Sequence, residues 1–172
     1  ALLFVTIALV STGAFASGLS PEKSASTYAH LTEVNQQWKL YGHAVSAENK
    51  TFQSDVDRIQ FHLLSVERLL RGRDISKLSS AQARNRMQLL AVLHGYALEK
   101  NFPVNSYHSE RRPYFIDIYG THCAVGYLVK ASGFGEISQQ ISKTQNFAYV
   151  HDIQSPELLS WSKTFGFSVD EL

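Results

Sequence analysis

The chain of 172 residues has one cysteine, Cys123, so no disulfide framework within the molecule is available to it. It also lacks an excess of either charge, since sixteen Lys and Arg stand against fifteen Asp and Glu for a net charge of +1. Basic residues gather only briefly, at Arg68, Arg71 and Arg73 and at Arg111-Arg112, which is no footprint for nucleic acid. The first group suits the carbonyl end of a helix instead. Internal repeats, low-complexity linkers and the C-x-x-C or H-x-x-x-H spacings of zinc sites are absent. No apolar run approaches the roughly 20 residues that a bilayer crossing needs. Once a leader is removed, the chain is therefore not expected to span a membrane.

Such a leader is present. Leu2 to Val10 is an apolar core, and Ala14-Phe15-Ala16 suits a signal peptidase, so residues 1–16 are expected to be a signal peptide and 17–172 a single globular domain. A starting Met and a basic n-region are missing, so the chain is expected to begin inside its signal. The compartment implied is the periplasm or the exterior of a bacterium. There an odd thiol is exposed to oxidation unless it is buried or used.

At 44% hydrophobic and 12% aromatic content the chain can bury one ordinary core. Ser20 and Pro21 open a first helix running to about Leu40, with Leu31, Val34, Trp38 and Tyr41 at three- and four-residue spacing, and residues 42–53 read as a loop. Ser54 caps a second helix whose stripe is Val56, Ile59, Leu63, Val66 and Leu70, ending at Gly72. A third helix starts at Ser79 or Ser80 and carries Met87, Leu90, Leu93 and Ala97 until Phe102-Pro103 stops it. Residues 114–119 and 147–153 read as strands able to pair, with helices at about 122–132, 136–143 and from Ser155-Pro156. Ser168 to Glu171 is a capping box opening a helix that the sequence cuts off, so the C-terminus is expected to lie further on. The fold class is mainly α (α+β): a helical domain with a small two-stranded β element.

The segments Phe102-Pro103-Val104-Asn105, Phe115-Ile116-Asp117, Gly120-Thr121-His122-Cys123-Ala124-Val125-Gly126-Tyr127-Leu128, Ser132-Gly133, Gln145 to Val150, and Trp161 before Gly166-Phe167-Ser168 resemble an uncharacterised family of bacterial exported proteins. The likeness runs from about residue 54 to 172. It implies a bacterial envelope protein and marks the Cys123 segment, and it carries no reaction or catalytic role with it. Members usually continue into a short segment ending in Gln-Pro, which this chain lacks.

Three chemistries are open to these residues. In the first, Cys123 lies in the first turn of a helix, where free N–H groups and the helix dipole favour a thiolate. His151 then serves as base and Asp117 or Asn146 as its orienter, giving a hydrolase or amidase on envelope peptides. At about 100° per residue, Lys130 falls about 20° from Cys123, which sets the thiol at the edge of the apolar arc with partial access. In the second, a carboxylate-dependent glycosidase acting on the cell wall uses Asp117 or Glu136, with Glu99 as a further candidate. Asp117, inside an apolar strand, needs a partner such as Arg111, Arg112 or backbone N–H groups. In the third, aromatics including Tyr107, Tyr114, Tyr119, Tyr127, Tyr149, Trp38 and Trp161 offer a surface for a glycan or protein partner. His108, His122, Cys123 and His151 are the possible zinc ligands, and their spacing argues for no metal or other cofactor. Molecular function stays undetermined at this level, with binding at the cell envelope the default reading.

Overall fold

The computed structural model describes residues 25–46 and 48–172; the signal peptide expected at 1–16 and the Ser20-Pro21 helix start lie outside them. The fold is mainly α with one small antiparallel two-stranded sheet. Its centre is a pair of long helices over Asp55–Arg71 and Ser80–Glu99, and the chain reaches them through a short and broken N-terminal region. There β1 (Ala25–Ser26) pairs with β2 (Asn49–Lys50), and α1 (Thr27–Val34) is followed by a 3-10 stretch over Gln36–Ala44. The single helix expected up to Leu40 is thus interrupted. At the break Asn35 is extended, with φ −145° and ψ 115°, and its side-chain oxygen accepts from the Gln37 N–H at 2.8 Å. Short amides compete with helical hydrogen bonds in this way, ending one helix while capping the next turn. Leu31, Val34 and Trp38 still reach the core as their spacing predicts.

α2 (Asp55–Arg71) follows its sequence signals closely: the Ser54 hydroxyl accepts from Asp57 N–H, Asp55 and Asp57 occupy the positive end, and Ile59, Leu63, Val66 and Leu70 are buried. α3 (Ser80–Glu99) begins with a reciprocal Ser79–Gln82 capping box and ends at Lys100, which takes the left-handed conformation. One expectation on its face changes. Met87 is 41% exposed, and Arg86 occupies the neighbouring core position at 2% exposure. Its guanidinium is held by both oxygens of Glu171 at 2.8 Å and by the carbonyls of Gly166 and Leu70 at 2.8 and 3.2 Å. A planar fork matched by two carboxylate oxygens and two carbonyls can be buried where a hydrophobe was expected. The capping box at Ser168 forms, but a single 3-10 turn over Val169–Glu171 follows it, and Glu171 reaches back to α3.

The second half contains α4 (Ala124–Ala131), α5 (Gly135–Gln145) and α6 (Pro156–Thr164), the last capped by Ser155 with Pro156 at its start. Gly166, at φ +71°, follows α6; a Cβ there would meet the Gln82 carbonyl oxygen at 3.0 Å, so the close approach to α3 requires glycine. Neither strand expected here forms. Residues 114–119 have only an isolated bridge between Ile116 and His122, and 147–153 contains a 3-10 turn at Val150–Asp152. Residues 113–117 are buried without a break, so the side chains do not alternate between core and water as a half-buried strand requires. The two segments nonetheless meet, through Asn146. Phe115 N–H donates to its carbonyl, while its side-chain amide accepts from Ile116 N–H and donates to Ile116 carbonyl, all at 2.9 Å.

The Arg86–Glu171 pair yields a test of the closure. Burial pushes the Glu171 carboxyl up, and the Arg86 hydrogen bonds with the Ser168 N–H more than offset this, holding it below its ordinary value of 4.5. The pair's contribution is accordingly complete above that ordinary value and lost as pH falls through the lowered one. Arg86→Met, which strands a buried carboxylate, is expected to cost about 3–5 kcal/mol in urea unfolding at pH 7. The deficit relative to the parent should shrink in acid.

Candidate functional site

Asp117 and Cys123 lie on the stretch from Phe102 to Cys123, which has no helix or strand and dips into the core at residues 102–103, 113–117 and 122–123. Buried peptide groups there must be bonded by something other than a helix or sheet. Asp117 is the principal acceptor: one carboxylate oxygen takes the Val104 N–H at 2.9 Å, the other takes those of Tyr119 at 2.9 Å and Thr121 at 2.8 Å. Backbone donors, one of the alternatives the sequence left open, are thus its partners. Arg111 pairs with Asp55, and Arg112 with Glu110. The tight turn brings Thr121 back beside Asp117 and Cys123 beside Phe115, whose carbonyl accepts from Cys123 N–H at 2.9 Å.

Cys123 is therefore the N-cap of α4 rather than a residue of its first turn. Its sulfur accepts from the Gly126 N–H at 3.4 Å, taking the place an oxygen usually fills. The helix start and burial act on the thiol in opposite senses. Burial is the larger effect and pushes the thiol up to about 12; the N–H groups of Gly126 and Val125 offset only part of it. At 3% exposure the group is a protonated, packed thiol. The expected thiolate and the partial access read from the helical wheel are both corrected by this, because an N-cap lies outside the wheel's geometry. Gly126 completes the packing: a Cβ on it would stand 3.0 Å from the Phe115 ring.

His151 stands on the 3-10 turn at Val150–Asp152 with its side chain 43% exposed, 3.5 Å from the Asp152 carboxylate and stacked on Tyr149 with ring centroids 5.6 Å apart. No hydrogen bond joins it to Cys123 among the described residues, and neither cleft that His151 borders has Cys123 in its wall. The proposed orienters are occupied elsewhere, Asp117 by backbone N–H groups and Asn146 by Ile116. A nucleophile, base and orienter within mutual reach are thus not assembled. Glu136 lies exposed at the start of α5, beside a cleft of about 450 Å³ with Lys130, Lys143 and His122, and Asp117 is not in the wall of that cleft. Glu99, the further acidic candidate, is an exposed residue at the end of α3.

Histidines suspected as metal ligands have other partners. His108 Nδ1 bonds the Tyr114 hydroxyl at 2.7 Å, and His122 Nδ1 the Gly120 carbonyl at 3.0 Å. Burial, aided by Lys130, favours the uncharged form of His122 over the opposing pull of Gly120 and Asp117. Among the described residues, no three His, Cys, Asp or Glu side chains come together as metal ligands, and no helix is long and apolar enough to cross a membrane.

A different site emerges from segments far apart in sequence. Glu33, Gln36, Gln37, Arg111, Tyr149 and His151 border a polar cleft of about 550 Å³. Behind its wall Glu33 pairs with Arg58 at 2.5 Å, Arg58 lies 3.7 Å from Asp55, and Asp55 pairs with Arg111. This chain of alternating charge fixes two of the lining side chains. Tyr149 is 40% exposed beside the cleft, whereas Trp38, Tyr114 and Trp161 are buried, and Tyr107 and Tyr119 project elsewhere at about 70% exposure. Tyr149 and His151 were visible in the sequence as candidates, whereas Glu33, Gln36 and Gln37 are concealed by a continuous-helix reading. In comparisons with protein-family models, curated proteins and solved structures, nothing matched the chain.

Two outcomes check this account. The Cys123 thiol is expected to resist alkylation near pH 8 while the protein is folded and to react at a free-thiol rate in urea; native-state reaction with a midpoint at or below about 8.5 contradicts it. Asp117→Ala leaves three part-buried backbone donors without their carboxylate, so a loss of roughly 1–3 kcal/mol is expected in urea melts. Asp117→Asn keeps one carbonyl oxygen and should cost less.

Proposed function

We propose that this is an exported bacterial envelope protein that acts by binding, and that its polar cleft takes a hydroxyl- and amide-bearing envelope component, a glycan strand in the first instance. The observation that carries the reading is the stacked Tyr149–His151 pair at the edge of a cleft whose other walls, apart from Val34, are planar polar side chains. A sugar ring presents an apolar C–H face and an equatorial rim of hydroxyls. The aromatic pair suits the face, and the Gln36 and Gln37 amides, the Glu33 carboxylate and the Arg111 guanidinium suit the rim. At about 550 Å³ the cleft falls within the roughly 300–1,000 Å³ of small-ligand sites. The ion pairs behind it hold Glu33 and Arg111 in place before binding, which lowers the ordering cost.

The apolar leader at Leu2 to Val10 and the resemblance of the Cys123 segment to exported proteins support the compartment. The packed thiol, exposed His151 and backbone-bound Asp117 favour binding over cleavage.

Calorimetric titration with soluble oligomers of N-acetylglucosamine and with peptidoglycan fragments tests the proposal. Tyr149→Ala is expected to weaken binding by about tenfold or more, ~1.4 kcal/mol, with the melting temperature unchanged. No binding by the parent, or equal binding by the variant, overturns it.

A further inference from the structure

We infer that a second cleft, between the 3-10 stretch and α2, is a binding site for a single-chain amphiphile with an anionic head, a free long-chain carboxylate. The cleft has a volume of about 420 Å³, in the range of small-molecule sites, and its walls include Leu31, Trp38, Phe61 and Leu69. The polar groups in these walls are already used. Trp38 Nε1 donates to His62 at 2.8 Å, Thr27 hydroxyl to the Glu48 carbonyl at 2.9 Å, and Ser65 hydroxyl to the Phe61 carbonyl at 2.7 Å. What remains for a ligand is hydrocarbon surface, the Ser46 hydroxyl, which accepts from Glu48 N–H at 3.2 Å, and two guanidinium groups, those of Arg68 and Arg73.

The charge of these lining residues has one sign, since no Asp or Glu lies among the described residues of the wall. Arg73 is steadied by a 3.0 Å hydrogen bond to the Tyr41 hydroxyl and lies over that ring at 5.6 Å. Arg68 is exposed and has no acidic partner among the described residues, in contrast to Arg71, which pairs with Glu67 at 2.5 Å. Capping the end of α2 does not account for them. The Arg68 carbonyl accepts from Gly72 N–H at 3.2 Å, and the Leu70 carbonyl accepts from Arg73 N–H at 3.4 Å and from Arg86 at 3.2 Å. An apolar hollow with cations and no anion at its wall complements a chain ending in a carboxylate, which a guanidinium binds through two parallel hydrogen bonds.

The test is calorimetric titration of the protein with monomeric dodecanoate, dodecanol and dodecyltrimethylammonium, each below its aggregation concentration, and with phosphatidylglycerol vesicles. Dodecanoate is expected to bind at least about tenfold more tightly than dodecanol, and the cationic amphiphile not to bind. Arg68→Gln, at an exposed position, should narrow the gap between dodecanoate and dodecanol several-fold. Ala44→Phe, which fills the cleft from its exposed rim, should abolish both. The inference is overturned if dodecanoate fails to bind, if all three amphiphiles bind alike, if Arg68→Gln changes nothing, or if vesicles bind while the monomer does not.

Discussion

The structure depends on satisfying the peptide groups of a chain segment that passes through the core outside any helix or sheet. From Pro113 to Asp117 every residue is buried; scattered backbone bonds join Phe115 N–H to the Asn146 carbonyl, Asp117 N–H to the Thr121 carbonyl and Cys123 N–H to the Phe115 carbonyl, and two side chains complete them. Asp117 gathers three N–H groups on one carboxylate, and Asn146 copies a β-partner with its amide, accepting from and donating to Ile116. Without a donor–acceptor pair of that shape, burying the segment would cost about 1–3 kcal/mol for each unpaired group, a large share of the net stability of any small domain. Phe115, Ile116, Cys123 and the whole of α4 are placed by this arrangement.

The same constraint explains why a helix start does not make Cys123 reactive. A cap position contributes a favourable field within the first turn, worth typically 0.3–1 kcal/mol at exposed sites. One pKa unit corresponds to about 1.4 kcal/mol, so removing a thiolate from water can raise the pKa by more than such a field lowers it. Here the cap is packed under Phe115 and the balance falls on burial, moving the thiol to about 12. The sulfur serves α4 as an acceptor, and its value to the fold lies in size and weak hydrogen bonding rather than in nucleophilicity.

α2 was legible because its cap, terminal charges and 3.6-residue apolar period agree over a long window, α3 because its capping residues and spaced apolar positions do, and α6 because Ser155-Pro156 states its start. Residues 114–119 and 147–153 carry no such agreement of signals. An apolar, aromatic run of six residues has the same composition whether it lies in a sheet or threads a core, and periodicity cannot separate the two. The small sheet formed instead between Ala25–Ser26 and Asn49–Lys50, each too short to leave an alternating pattern. Arg86 escaped notice because a buried arginine depends on Glu171, which lies 85 positions away. The positions of Cys123 and Asp117 at a chemically dense turn were readable, whereas their burial and bonding partners were set by α4, Val104 and Asn146.

The break at Asn35 lets α1 and the 3-10 stretch each contribute to both clefts. Glu33, Gln36 and Gln37 border the polar cleft, while Leu31, Trp38 and Ala44 border the apolar one. An uninterrupted helix turns about 100° per residue, so residues 31–44 would fall in fixed succession around a single axis. Ending α1 at Val34 and restarting as a 3-10 stretch redirects the chain, and the Trp38–His62 hydrogen bond fixes the new course against α2. Asn35 secures the junction from both sides, its N–H bonded to the Leu31 carbonyl at 2.8 Å and its own carbonyl accepting from Trp38 N–H at 3.1 Å. The loss of helical regularity that hid this region from sequence reasoning is therefore what creates its two concave surfaces, one polar and one apolar.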